Sequence, residues 1–322
     1  MARIGIVSGG AFGTAMACVL CRSGAQVRLW AREPEVVEAI NGRGTNPRFL
    51  DGVALPAGIE ATSNLAHAAQ NAEMVLLAPP AQHMRALAQA LGPHLAHGIP
   101  VVSCSKGMER ATLALMPAVL AAELPDRPVA VLSGPSFARE IARGLPCAVM
   151  LGCNDRPEAT RIARTLSSPG FGVHPTDDVA GVALGGVMKN VIAIASGIAA
   201  GRGLGENARA SLAALGLEEA QRLGMTLGAR AGTFLGLAGA GDVMLTVASL
   251  QSRNTALGVA LGEGKPPPAV LTEGMGSTAA VAALARKLDV PMPITFALEY
   301  ALDGGNVDEA LRRLLDALAR PA

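Results

Sequence analysis

An α/β fold is predicted: an N-terminal doubly wound domain built on a parallel sheet, then an all-helical C-terminal domain. Three observations predict it. Short β-rich runs alternate with helical stretches through the first half of the chain. A glycine-rich turn, Gly9-Gly10-Ala11-Phe12-Gly13, lies between the first such run and the first helix. Beyond Asp177-Asp178 the β-rich runs stop and nearly everything reads as Ala/Leu helix. The boundary is expected near Asp178, giving domains 1–178 and 179–322.

In order, Arg3–Ser8 is a β-rich run, Thr14–Ser23 is apolar at helical spacing, and Gln26–Ala31 is the next strand. Strand, glycine turn, helix and strand make the βαβ context of a Rossmann-type dinucleotide site. There the pyrophosphate rests on backbone N–H groups at the positive end of the helix. The usual spacing is G-x-G-x-x-G; Ser8 stands in the first place, and Gly10 and Gly13 in the other two. Ser8 must therefore accept a turn that glycine normally makes. No acidic residue ends the second strand; Arg32 and Glu33 follow it instead. An Arg accommodates a 2′-phosphate, so Arg32 tilts the expectation toward NADP, while Glu33 keeps NAD open.

Glu35–Asn41 reads as helix, Asn46 to Gly58 as loop, Glu73–Ala78 as strand, Gln82–Leu91 as helix and Pro100–Ser103 as strand. Lys106 follows, at the carboxyl end of a strand where ligands of doubly wound sheets bind. It is placed to meet an anion or to be a solvated loop lysine. Val129–Leu132 is a strand that leads into Ser133-Gly134-Pro135-Ser136-Phe137-Ala138, in which glycine permits close backbone approach and Ser136 can cap the next helix. Cys147–Gly152, Pro157–Leu166 and Phe171–His174 complete the first domain as strand, helix and strand.

In the second domain Val179–Ala200 is a long apolar helix with Lys189 in its middle and Gly185-Gly186 as a notch for a backbone or a ligand. Of 27 Lys+Arg residues only Lys106, Lys189, Lys265 and Lys287 are lysines. An ammonium can be tuned toward neutrality by burial and then work as acid or base, which a guanidinium cannot. The alternative is a snorkelling lysine with its head in water. Ala208–Leu227 is helical, and Gly236–Gly241 is a glycine-rich turn presenting one carboxylate, Asp242. Ser252 caps a further helix, with Arg253 and Asn254 in its first turn. Arg253 opposes the helix dipole there, but guanidinium, amide and N–H groups together suit a phosphate. Helices at 273–288, 291–302 and 307–319 close the chain.

Composition narrows the function. The 322 residues are 50% hydrophobic but 2% aromatic, so Ala, Val, Leu and Met must fill the cores. Net charge is +1 with no basic stripe carrying aromatics, which argues against a nucleic-acid partner. The stretch Val179–Gly201 comes nearest to a membrane span, yet Lys189, Asn190 and its glycines argue against insertion. Met1–Val7 enters a strand at once, without a signal-peptide plan, so a cytoplasmic location is expected. Of the five cysteines, Cys18 and Cys21 form a lone C-x-x-C in an apolar helical run and read as small core residues in a reducing compartment, and no metal site is expected.

Several segments, in this order and spacing, resemble the bacterial NAD(P)-dependent glycerol-3-phosphate dehydrogenases: Gly10-Ala11-Phe12-Gly13-Thr14-Ala15, Ser105-Lys106-Gly107, Ser133–Ala138, Lys189–Ala193, Gly205–Ala210, Gly239–Asp242 and Ser252–Asn254. The resemblance runs essentially end to end. It implies hydride transfer between NAD(P)H and dihydroxyacetone phosphate, a cytoplasmic supply of glycerol phosphate for phospholipids, and often a dimer. It implies that Lys189 donates and accepts the proton, and that Lys106, Gly134, Ser136, Asp242, Ser252, Arg253 and Asn254 meet the substrate. Cofactor contacts are implied at Ala11, Phe12, Arg32, Lys106, Ala138, Arg253, Leu271 and Glu273. Three positions depart from the family pattern: Ser8 for glycine, Ala183 for the usual Glu, and Leu215 for the usual Arg. A related reductase acting on another keto acid such as ketopantoate, or a non-catalytic NADP-binding sensor, is the alternative.

Overall fold

The computed structural model describes residues 2–266 and 272–319. The chain divides into two compact units. One runs up to Ser105 and includes Met116–Val179; the other holds Lys106–Leu115 and the chain from Ala180 onward. Lys106–Leu115 thus groups with the helical unit, although in sequence it lies inside the first.

The first unit is built on eight strands: β1 (Arg3–Val7), β2 (Gln26–Trp30), β3 (Ile59–Thr62), β4 (Met74–Leu77), β5 (Val101–Ser103), β6 (Val129–Ser133), β7 (Cys147–Cys153) and β8 (Phe171–Thr176). Among the described residues they form one sheet in the order β3-β2-β1-β4-β5-β6-β7-β8. The first six follow the doubly wound 3-2-1-4-5-6 order. They are parallel, with β1 flanked by β2 and β4. β7 reverses direction against β6, and β8 runs parallel to β7. The central strands β4 and β5 are buried throughout, which is why they read as unbroken apolar runs. Helices Ala11–Arg22, Pro34–Arg43, Met84–Leu91 and Met116–Glu123 carry the chain between strands.

β3 was not foreseen. Its four residues alternate buried and exposed at a sheet edge, so Glu60 interrupts the apolar run that marked the other strands. Pro175 lies in the opposite edge strand, β8, where a missing N–H costs least. Cys18 is buried, and burial pushes its thiol up to about 11; Cys21 is pushed up for the same reason. Both stay protonated, and all five cysteines are free thiols.

The second unit packs around the helix Val179–Gly201, buried along most of its length. Among the described residues it alone is long and apolar enough to cross a membrane, and 94% of its most apolar stretch lies inside the fold. Its glycines let other backbones touch it. A Cβ on Gly185 would stand 2.4 Å from the Ala238 carbonyl oxygen, and one on Gly197 2.5 Å from that of Thr255. Gly258 answers from the helix Arg253–Gly262, where a Cβ would meet the Ile194 carbonyl oxygen at 2.2 Å. Backbone-to-backbone packing of this closeness is open only to glycine. It seats the segments bearing Asp242 and Arg253 against the helix that bears Lys189.

Buried Glu219 fastens another corner. Its carboxylate accepts the N–H groups of Ile294 (2.6 Å) and Thr295 (3.1 Å) and the Thr295 hydroxyl (2.7 Å), covering the start of the helix Pro293–Leu302. Burial pushes this carboxyl above its ordinary range.

Candidate active site

In the sheet unit the turn after β1 is shaped as the dinucleotide motif requires. Ser8 takes φ 153°, the conformation that glycine would supply. Its hydroxyl accepts the Gly10 N–H at 3.2 Å. A Cβ on Gly13 would lie 2.0 Å from the Ser8 carbonyl oxygen, so the first helical turn can press against the loop only through glycine. Gly10 caps the helix Ala11–Arg22 without a side-chain bond, and a Cβ there would meet only the Ser8 hydroxyl, at 3.2 Å. The N–H groups of Ala11, Phe12 and Gly13 thus open the helix as an anion site. The donor set fits a pyrophosphate.

Replacing Ser8 by glycine is expected to relieve about 1–3 kcal/mol of backbone strain. The sheet unit's thermal transition should rise in S8G; a lower transition would show that the Gly10 contact outweighs the strain.

Asn46, read from sequence only as loop, is fully buried and braces this turn. Its amide donates to the Gly9 carbonyl and to the Thr14 hydroxyl, both at 2.8 Å. Beyond β2, Arg32 is 76% exposed and paired with Glu33 at 3.0 Å. Gly134 follows β6 with φ 140°, and a Cβ there would stand 3.0 Å from the Val149 Cα. Ser136 does not cap the helix Ala138–Ala142 as expected. The cap position is Phe137, without a side-chain bond, and the Ser136 hydroxyl donates to the Gly134 carbonyl at 2.7 Å. Ala138 opens that helix.

The helical unit gathers the charges. Asp242 was expected on a glycine-rich turn; instead Leu237–Gly241 winds as a π-helical turn that runs into the helix Asp242–Val247. The Asp242 side chain is 1% exposed and faces two ammonium groups. Lys106 Nζ lies 2.5 Å from Oδ2, and Lys189 Nζ 3.7 Å from Oδ1. The two lysine side chains keep 17% and 14% of their surface, so Lys189 is not a surface lysine with its head in water. Lys189 also donates to the Thr246 hydroxyl at 3.3 Å, and that hydroxyl donates to the Asp242 carbonyl at 2.6 Å.

Burial lowers the Lys189 ammonium to about 8, against the pull of Asp242; the charges of Lys106 and Arg253 lower it further. A lysine held there can give a proton and take it back near neutral pH.

Ser252 caps the helix Arg253–Gly262, its hydroxyl accepting the Thr255 N–H at 3.2 Å. Arg253 is exposed in the first turn, and Asn254 is buried. Asn254 belongs to a chain that the sequence reading missed. Its Oδ1 accepts the Gly274 N–H at 3.1 Å, and its amide donates to Asn190 Oδ1 at 2.7 Å. Asn190 in turn donates to the Lys106 carbonyl at 3.2 Å. A polar Asn next to Lys189 in an apolar helix was the available signal, since buried amides must be satisfied. Thr246 gave no such signal; it is unremarkable in sequence. Glu273 opens the helix Glu273–Lys287, and Leu271 lies outside the described residues. Ala183 is buried, and Leu215 packs partly buried against the helical core. Among the described residues no group of three or more His, Cys, Asp or Glu could hold a metal.

Comparison with known proteins shows the family and the fold. The family model described as NAD-dependent glycerol-3-phosphate dehydrogenase N-terminus matches residues 3–159, and the corresponding C-terminus model matches 178–311. A glycerol-3-phosphate dehydrogenase [NAD(P)+] of Caulobacter vibrioides is 46% identical over 99% of this chain and 98% of its own length. A crystal structure of glycerol-3-phosphate dehydrogenase from Coxiella burnetii superposes with a TM-score of 0.93 at 36% identity, covering 98% of this chain and 99% of that one. A ketopantoate reductase from Ralstonia eutropha, at TM-score 0.62 and 19% identity over 97% and 99% of the two chains, shares the fold alone.

Proposed function

The chain belongs to the NAD-dependent glycerol-3-phosphate dehydrogenase family, and on that premise we propose that it interconverts dihydroxyacetone phosphate and glycerol 3-phosphate with Lys189 as its acid and base. The observation that carries this is the buried Asp242 carboxylate shared by Lys106 and Lys189. A ketopantoate-type reductase is not favoured, because the relatives matched over the full length are named for glycerol 3-phosphate. A non-catalytic sensor is not favoured either, since those relatives are dehydrogenases by name.

When bound, the nicotinamide supplies the hydride for the carbonyl carbon. Lys189 Nζ gives its proton to the carbonyl oxygen as negative charge gathers there, and takes it back in the reverse direction. Lys106 adds a second positive charge toward the developing alkoxide. Asp242 holds both ammonium groups in place. Arg253 and the first-turn N–H groups of its helix grip the phosphate, so that remote binding energy orients the carbonyl. Gly134 and Ser136 are further substrate contacts in this reading.

The turn Ser8–Gly13 holds the pyrophosphate, with Ala11, Phe12, Ala138 and Glu273 as further cofactor contacts. Arg32 reaches a 2′-phosphate, exchanging its Glu33 partner for it, which favours NADPH over NADH. The reading also places the protein in the cytoplasm, supplying glycerol phosphate for phospholipids. Its support is the burial of the one span-like described helix and the free thiols.

Two assays test the reading. Consumption of NADH or NADPH should depend on dihydroxyacetone phosphate, and equal activity with ketopantoate would reject it. Arg253→Ala should raise KM for the phosphorylated substrate by about 10–100-fold, the worth of a charge-assisted contact of about 1.5–3 kcal/mol. Any turnover of unphosphorylated dihydroxyacetone should not change; equal losses on both substrates would remove Arg253 from the phosphate site.

A further inference from the structure

The segment Lys106–Leu115 is built as a closed hairpin on the helical unit. Met108 pairs with Leu115 in an antiparallel bridge. The Glu109 N–H donates to the Ala114 carbonyl, and the Leu113 N–H to the Glu109 carbonyl, both at 2.9 Å. The Thr112 hydroxyl donates to the Glu109 carboxylate at 2.5 Å and accepts the Ala114 N–H at 3.3 Å. Met108, two positions beyond Lys106, is 0% exposed in the helical core, and Leu113 and Leu115 pack against that core.

Leu113 has φ 61°, the left-handed conformation that disfavours a branched side chain and suits glycine. A loop that only needed to turn would be served better by glycine there. Leucine at such a position makes sense when its side chain is the anchor. On the other side of the hairpin, Asn190 holds the Lys106 carbonyl. Lys106 reaches Asp242, 136 positions later in the chain, so its placement depends on how the hairpin is seated.

We propose that Lys106–Leu115 is a strap whose apolar anchors, Met108 and Leu113, are positioning residues that hold Lys106 against Asp242 beside Lys189. This rests on the function proposed above. The strap makes the charged trio a property of the helical unit, although the sequence threads Lys106 through the nucleotide-binding half. It also divides the Asp242 carboxylate between two lysines. If the anchors are cut, Lys106 withdraws, its repulsion on Lys189 fades, and Asp242 turns wholly to Lys189. Both changes favour the protonated form of Lys189.

The test is a double-mutant cycle in the full-length enzyme, with Met108→Ala and Leu113→Gly each combined with Lys106→Met. L113G relaxes the backbone while removing the anchor, so it reports even if M108A folds poorly. Each anchor variant should lower kcat for dihydroxyacetone phosphate reduction by about 10–100-fold and move the alkaline limb of the kcat/KM pH profile upward. In the K106M background neither substitution should cost more than about twofold or move the limb. Equal fold losses in both backgrounds, or an unmoved limb with unchanged kcat, would overturn the strap. If K106M by itself matched wild type in kcat and KM, the placement of Lys106 in the site would fall instead.

Discussion

Lys189→Met is expected to lower kcat for dihydroxyacetone phosphate reduction by about 10²–10⁴-fold, the usual worth of a positioned general acid. Cofactor affinity should hardly change, because the dinucleotide turn is built from other residues. Methionine keeps the length and apolar stem of the lysine, so the helix Val179–Gly201 should stay packed. The pH profile identifies the group. With Lys189 at about 8 in the free enzyme, the acid form dominates below that pH and drives reduction, so wild-type kcat/KM for reduction should fall as pH rises through about 8. Oxidation of glycerol 3-phosphate needs the neutral amine and should rise through the same region. In the variant both limbs should be lost. Stopped-flow kinetics in both directions would check this. Activity within about threefold of wild type, or a retained limb, would show that another group moves the proton.

Asp242→Asn should produce the second large effect, on stability and on titration together. The carboxylate is 1% exposed and answers two ammonium groups. Breaking a buried ion pair by removing one partner costs about 3–5 kcal/mol, because the remaining charge is left uncompensated. Here two like charges remain. The Lys189 ammonium loses the influence that raises it and keeps burial, Lys106 and Arg253, which lower it. The alkaline limb of reduction should therefore move below its wild-type position, depleting the acid form at neutral pH. This is opposite in sign to the shift expected when the Lys106–Leu115 strap is cut. Calorimetry and the pH profile of kcat/KM read the two effects separately. An unmoved limb in D242N would mean that Asp242 does not set the charge state of Lys189.

Much of the fold was legible because its signals are local. The βαβ turn shows as a β-rich run, glycines at fixed spacing and an apolar helix, all within one short stretch. The change from strands to helices near Asp178 is a change in composition. Lys189 stood out as an ammonium in an apolar helix, and Ser252 as a cap. Where signals were weak, the reading lost elements. β3 is short and half polar at a sheet edge, and the helix Met116–Glu123 passed unnoticed between two clear strands. Ser136 looked like a cap because serine before a helix usually is one; its hydroxyl found the Gly134 carbonyl first.

By itself, then, the sequence determined the order of elements, the dinucleotide turn with a serine in a glycine's place, and the residue types available for proton transfer and phosphate binding. These follow from backbone preferences and apolar spacing, which act between near neighbours in the chain. Only the tertiary structure decided that Lys106 and Lys189 cluster on the buried Asp242 carboxylate, with Thr246 and Asn190 holding them. Lys106 and Asp242 are 136 positions apart, and Lys189 and Thr246 are 57 apart. What joins them is the close backbone packing at Gly185, Gly197 and Gly258 and the seating of Met108 in the helical core. Those are contacts between surfaces that exist only once the helices have packed, so no local pattern could announce them.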